Sequence, residues 1–329
     1  MTPLRWGILG TGGIAKKFAE GLQLVAGRCP VVAVGSRSPD SARAFAAAIP
    51  GCQAHGSYQA LIDDPHVDVV YIALLNHQHA EWCIRAAAAG KHVLCEKPAA
   101  MNASELEGVL AAVRAAGTFF MEGFLYRCHP RWPRLRELLA SGVIGDLRLL
   151  QAAFCFNAGD KERLMARAQG GGALMDIGCY PLSWLRWIAG TEPVATTCMA
   201  TLNADGVDLT ASAALRFPGG LLGSLDTSCT AGRHVSATVF GARGRIEITE
   251  PWRSPPGQSA FLVHTDAGVE SITVADDGLN TYAREALTVA AHLTEKQVPV
   301  MTWEDSLGQA RCLDALRHQA GVWWDDEER

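Results

Sequence analysis

Leu4-Arg5-Trp6-Gly7-Ile8-Leu9, running into Gly10-Thr11-Gly12-Gly13-Ile14-Ala15, decides the fold. The first six residues read as a strand. Lys16 to Val25 follows with apolar residues at helical spacing, Phe18, Leu22 and Val25. Strand, glycine loop and helix form a unit whose loop cradles a pyrophosphate. Gly10 permits the tight turn, Gly12 lets the backbone approach the phosphates, and Ala15 keeps helix and strand in close contact. The helix start offers free N–H groups and the positive end of its dipole. Thr11, Gly13 and Ile14 belong to the same expected cofactor contact. Gly-x-Gly-x-x-Ala alone is weak; its flanks carry the reading.

The next strand, Val31-Val32-Ala33-Val34, ends in Gly35-Ser36-Arg37-Ser38. A site for NAD usually carries Asp or Glu about 20 residues past the glycines, on the ribose 2′-hydroxyl. Here a hydroxyl and a guanidinium stand in that place. Ser36, Arg37 and Ser38 suit a 2′-phosphate, with Arg37 able to stack on adenine. NADP is therefore the expected cofactor, and Asp40 keeps NAD possible.

The pattern repeats. Helices are expected over Ser41 to Ile49, Tyr58 to Ile62, His79 to Gly90 and Ala103 to Gly117. Strands are expected over Val67 to Ala73, Val93 to Cys95 and Phe119 to Met121. Alternating strands and helices with short links imply a parallel sheet covered on both faces. Ligands bind such sheets at the carboxyl ends of the strands. Two loops fall there. Leu74-Leu75-Asn76-His77-Gln78-His79 offers Leu74, Asn76 and His79 to a ribose or a carboxamide. Val93-Leu94-Cys95-Glu96-Lys97-Pro98 stops a buried strand on Glu96 and Lys97, with Pro98 blocking its continuation.

Composition narrows the classes. Of 329 residues, 49% are hydrophobic, and 29 basic against 34 acidic residues leave a charge of −5. That balance lacks the basic face of a nucleic-acid or membrane-surface protein. Ten cysteines are scattered, and the closest pair, Cys83 and Cys95, stand 12 apart, so no zinc knuckle or dithiol motif exists. His77 and His79 lack a third ligand, and no metal is expected. Scattered thiols, no signal core before the first strand and no apolar run of about 20 residues predict a cytoplasmic protein outside the membrane. The acidic end, Asp325-Asp326-Glu327-Glu328, reads as a solubilising tail.

From Asp146 the grammar changes. Leu147 to Phe156, Ala195 to Leu202, Asp208 to Phe217, Leu221 to Thr227, His234 to Phe240, Arg245 to Thr249 and Ser259 to Thr265 read as strands with few helices between. A separate α+β domain with an antiparallel sheet is implied. A dinucleotide-binding domain over residues 1–123 and a second, α+β domain over 124–329 are expected. Trp132 to Ala140, Tyr282 to Leu293 and Trp303 to Gly321 read as helices, the last two packing back toward the first domain. Gly170-Gly171-Gly172 precedes a further helix on which Asp176 and Tyr180, four apart, share a face.

Together these motifs resemble the Gfo/Idh/MocA oxidoreductases. The resemblance rests on Trp6 to Ala15, the Asn76-x-x-His79 loop, Glu96-Lys97-Pro98 and the run Gly170 to Tyr180, in family order across residues 4 to 323. Tyr180, where inositol dehydrogenases have histidine, and Tyr126-Arg127-Cys128-His129-Pro130 look more like the branch holding glucose–fructose oxidoreductase and dimeric dihydrodiol dehydrogenase. Leu75 departs from the usual Pro before Asn76. The resemblance implies an N-terminal Rossmann α/β domain and a C-terminal α+β domain with a large, mostly antiparallel open sheet. It further implies hydride transfer with a sugar, polyol or cyclic trans-diol. Lys97 would lie beside the nicotinamide, with Glu96 among the cofactor contacts. Tyr180 would act as acid/base, supported by Asp176. Tyr126, Arg163 and Trp252 would line the substrate pocket, and the sheet would join a homodimer or homotetramer. Two rivals share the fold: a glycosidase using transient oxidation with recycled NAD, and a non-catalytic NADP-binding sensor.

Overall fold

The structure, a computed structural model, describes residues 2–159, 161–253, 259–275, 277–325 and 327. It divides into two compact units, Met1–Cys128 with Leu279–Leu307, and His129–Gly278 with Gly308–Arg329.

The first unit runs β1 (Trp6–Leu9), α1 (Gly13–Gln23), β2 (Val31–Gly35), α2 (Pro39–Ala46), β3 (Gln53–His55), α3 (Tyr58–Ile62), β4 (Val69–Ile72), α4 (His79–Ala88), β5 (His92–Glu96), α5 (Ala103–Ala116) and β6 (Phe120–Gly123). The strand order is β3-β2-β1-β4-β5-β6, and every pair is parallel. This is the doubly wound arrangement the alternating pattern predicts. β1 and β4 are buried throughout, which is why they read as unbroken apolar runs. The short edge strand β3 was not legible, because its residues are half-buried or exposed.

Capping explains where these helices begin. Ser38, Ser57 and Asn102 each accept a bond from the backbone three residues on, at 3.2, 3.1 and 2.9 Å. α1 differs: Gly12 caps it with no side chain. Its first N–H groups therefore remain open to a ligand. The helix Thr281–Ala291 joins this unit against α1, where Gly21 leaves room: a Cβ there would lie 2.6 Å from Cβ of Tyr282.

The second unit runs α6 (Arg131–Ala140), β7 (Leu147–Cys155), α7 (Glu162–Met165), a π-helical turn (Leu174–Gly178) that continues into α8 (Cys179–Ala189), and then seven strands. These are β8 (Ala195–Leu202), β9 (Asp208–Arg216), β10 (Leu222–Ser228), β11 (His234–Gly241), β12 (Gly244–Ile248), β13 (Ser259–Thr265) and β14 (Gly268–Val274). The sheet order is β14-β13-β12-β11-β7-β10-β9-β8, antiparallel except for β7 against β10. Strand β9 buries Ala211, Ala213 and Leu215 and exposes the residues between, the alternation of a sheet covered on one face. Met199, Leu222 and Val269 are exposed on β8, β10 and β14. β14 was not anticipated, since it is an edge strand with mostly exposed residues.

The helix Trp303–Gln319 carries Arg317 in its last turn, its side chain fully buried. The solubilising-tail reading needs correction at Glu327. Its carboxylate takes bonds from Arg317 at 2.6 and 2.9 Å, and Asp325 pairs with Arg167 at 2.8 Å. Asp326 and Glu328 lie outside the described residues. No helix among the described residues is long and apolar enough to cross a membrane.

Candidate active site

In the first unit the expected cofactor residues gather at the carboxyl edge of the sheet. Gly10 adopts φ +102°, and a Cβ there would stand 2.6 Å from the Ala73 carbonyl. Only glycine turns the chain so tightly. Gly12 and Gly13 are exposed, and a Cβ on either would meet nothing within 4 Å. The space over the uncapped start of α1 is therefore open, and Ile14 beside it is 36% exposed. This is the cradle a pyrophosphate fits, donors forward and no side chain in the way. Thr11 is half-buried, while Ala15 is fully buried, as close helix–strand packing requires.

Beyond β2, Ser36 is buried and Arg37 is exposed, with no bond or ion pair among the described residues. Ser38 accepts from Ser41 N at 3.2 Å, so its first duty is to cap α2. Asp40, the acid that kept NAD possible, pairs with Arg43. A cation free to meet a phosphate and an acid already paired fit a 2′-phosphate better than a 2′-hydroxyl.

His79 opens α4. It is 1% exposed, Nδ1 donates to the Pro98 carbonyl at 2.7 Å, and Nε2 lies 3.3 Å from the Leu74 carbonyl. Burial lowers its pKa to about 4, so the ring is neutral at pH 7. Through these bonds His79 ties the loop after β4 to the turn after β5. Asn76 is half-buried at the start of that loop.

Glu96 is buried at the tip of β5 and accepts a bond from the Tyr71 hydroxyl. Glu285, from the helix Thr281–Ala291, is fully buried too. Burial, with Glu96 nearby, pushes its carboxyl well above the usual range. Lys97 follows Glu96, half-buried at the carboxyl end of β5. Nothing in the sequence pointed to Glu285, which sits in a helix read as packing. Among the described residues no three His, Cys, Asp or Glu side chains cluster as a metal site.

Tyr126, expected in the substrate wall, belongs to this first unit and is 1% exposed. Its ring packs edge-on to Phe124, and its hydroxyl accepts from Arg127 Nε at 3.2 Å. As the structure stands, it is a core residue.

In the second unit Asp176 and Tyr180 lie on one continuous helical run, both buried. The expected α-helix is π-helical over Leu174–Gly178, a widened turn that often marks a functional site. Arg163 pairs with Asp176 through Nη1 at 2.8 Å, its side chain 45% exposed. The arginine expected to meet substrate thus also holds the expected supporting acid. Tyr180 sits among aromatic rings, with Phe154 at 5.6 Å and Trp252 at 6.1 Å between centroids. Trp252 is 1% exposed, stacks on Phe154 and donates to the Ala153 carbonyl at 3.3 Å. It backs the wall and does not face outward. In the sequence Phe154 reads as one more apolar residue of β7.

A parallel sheet in this order, an uncapped glycine-fronted helix and a basic turn beyond β2 define a dinucleotide-binding oxidoreductase fold. Residues 4–124 match the oxidoreductase family with an NAD-binding Rossmann fold, and residues 132–247 match the GFO/IDH/MocA C-terminal domain. The chain belongs to the GFO/IDH/MocA oxidoreductase family. It is 39% identical to trans-1,2-dihydrobenzene-1,2-diol dehydrogenase of Mus musculus, covering 99% of each chain. Among solved structures it resembles the 3-ketoreductase KijD10 of Actinomadura kijaniata in complex with TDP-benzene and NADP (28% identity, TM-score 0.87, 98% of each chain). It also resembles the aldose-aldose oxidoreductase of Caulobacter crescentus complexed with glycerol (27% identity, TM-score 0.87, 97% of each chain).

Proposed function

We propose that this protein is an NADP-dependent dehydrogenase or reductase that moves a hydride between nicotinamide and a CH–OH or carbonyl carbon of a sugar, polyol or cyclic trans-diol. The observation that carries the reading is that Lys97, the open glycine face of α1 and the exposed guanidinium of Arg37 lie along one carboxyl edge of one parallel sheet. Such an edge holds a dinucleotide along its length. Gly12, Gly13 and the start of α1 take the pyrophosphate, Ser36 and Arg37 take the 2′-phosphate, and Asn76 and Lys97 stand toward the nicotinamide end. The cofactor, when bound, supplies or accepts the hydride.

The chain's own residues manage the proton. Reduction of a carbonyl leaves an alkoxide that must be protonated, and oxidation requires the reverse. Tyr180 is the assigned acid/base. A free phenol titrates near ~10, too high for an efficient base at pH 7. An ammonium beside a phenol favours the phenolate, and in this reading Lys97 has that part and orients the substrate oxygen. Asp176, held by Arg163, supports the turn on which Tyr180 stands. The rings of Phe154 and Trp252 keep water from the phenol's flank. The same reading gives the exposed face of the eight-stranded sheet the joining of subunits.

The names of the relatives select what to try: vicinal diols and aldoses. The test is a spectrophotometric panel of aldoses, inositols and trans-diols with NADP and with NAD. Turnover of at least one of these, with NADP preferred by about tenfold, about 1.4 kcal/mol, supports the reading. Sugar release without net nicotinamide change would move the protein to transient-oxidation glycosidases. NADP binding with no turnover would make it a sensor.

A further inference from the structure

Asp208 opens β9 on the sheet of the second unit, yet its side chain serves the helix that carries Asp176 and Tyr180. It is fully buried, and Oδ2 accepts a bond from Leu174 N at 2.7 Å. Leu174 begins the π-helical turn that contains Asp176 and continues into Tyr180. The residue at that helix start, Ala173, has no side chain with which to cap it. The cap therefore comes from a strand 34 residues further on. Gly172 makes this possible. Its φ is +113°, and any Cβ there would collide with Oδ1 of Asp208. The neighbouring strand β10 grips the same turn, since Thr227 Oγ1 donates to the Ala173 carbonyl at 3.3 Å. Its methyl also lies 3.0 Å from where a Cβ on Gly178 would stand.

We propose that Asp208 is a positioning residue for the Asp176–Tyr180 turn, fastening the helix start to the sheet so that its charge state sets how firmly the phenol is held. The inference rests on the role given to Tyr180 above. A carboxylate binds the N–H groups and positive dipole of a helix start more strongly than a neutral acid does. Burial opposes the charge and pushes the Asp208 carboxyl up to about 7, against the N–H groups of Leu174 and Ala173 and the field of Arg317. The cap therefore strengthens as pH rises through neutrality and slackens below it.

Among the described residues, Asp176 on the capped turn is paired with Arg163, and three further ionisable groups in the field of Asp208 keep their charge through neutrality. Arg317, from the helix Trp303–Gln319, stays cationic on Asp314 and Glu327. Cys198 of β8 and Cys229 after β10 are pushed up to about 11 by burial and remain thiols.

The test follows the phenol itself. The chain has 5 tyrosines, and with 13Cζ-labelled tyrosine the Tyr180 resonance is the one lost in Tyr180→Phe. In the wild-type protein its shift inflects at about pH 7. In Asp208→Asn, which keeps an amide oxygen for Leu174 N, the inflection disappears. Asp208→Ser, a shorter acceptor that does not titrate, gives the same result should the amide disturb folding. A wild-type signal flat across neutrality, or an inflection unchanged in either variant, would overturn the proposal. No substrate enters this measurement, so a panel without turnover counts against the functional reading and leaves this one standing. With a substrate in hand, the kcat/KM profile shows a limb near pH 7 that Asp208→Asn lacks. A merely structural role would lower the profile without changing its shape.

Discussion

Nδ1 of His79 donates to the carbonyl of Pro98 at 2.7 Å, joining the first turn of α4 to the turn that follows Lys97. Two loops at the carboxyl edge of one sheet are thereby fixed to each other through a buried ring, and the lysine's backbone inherits that rigidity.

The ring is neutral in the folded protein, its pKa lowered from 6.5 to about 4 by burial. Below about pH 6.5 the unfolded chain takes up a proton that the native ring refuses. The stabilising contribution is thus complete above the unfolded value and lost as pH falls toward the folded one. Its slope is about 1.4 kcal/mol per pH unit, or about 3 kcal/mol in all. Denaturant titrations of the wild type and His79→Gln between pH 4 and 7 check this. The variant loses the slope, and parallel profiles would contradict the account.

Gly10 and Gly12 separate fold from binding. At Gly10 the left-handed backbone and the Ala73 carbonyl leave no room for a side chain. Gly10→Ala should therefore cost about 1–3 kcal/mol of stability. At Gly12 a Cβ would meet nothing within 4 Å, but a larger side chain would fill the space the proposed pyrophosphate takes. Gly12→Val should melt within about 0.5 kcal/mol of the wild type. Its NADP affinity should fall about 100-fold or more, about 2.7 kcal/mol. Calorimetry of unfolding and of NADP binding reads both effects.

Arg317 and Glu327 form a bidentate pair around a fully buried guanidinium, which also lies over the Trp324 ring. Glu327→Gln leaves that cation without its main partner and should destabilise the second unit by about 3 kcal/mol. The Arg317 bond helps hold the Glu327 carboxyl down to about 2 despite partial burial. This contribution is present above the ordinary carboxylate range and is lost as pH falls toward 2. Thermal melts of the variant, and of the wild type in acid, measure it.

The parallel sheet was legible because its central strands are buried on both faces and its first loop must be glycine at Gly10. The edge strands β3 and β14 were not, because exposed residues carry no apolar period. His79 and Tyr126 look like ligand groups in the sequence, and only the fold shows that each is buried, at 1% exposed. The π-helical turn could not be read at all. Its cap comes from Asp208, an acid at the start of a strand, and only the folded sheet brings it to Leu174. Arg163 was found as a residue but not as a partner of Asp176, since 13 residues separate them.

The account depends most on the ammonium of Lys97 and the phenol of Tyr180 acting on one substrate oxygen. Single-turnover hydride transfer, with NADP binding measured alongside, tests it most directly. Lys97→Met and Tyr180→Phe should each slow transfer about 10³-fold, the scale of general acid–base catalysis. NADP affinity should stay within about threefold, under 1 kcal/mol. Transfer at the wild-type rate in either variant would contradict the account.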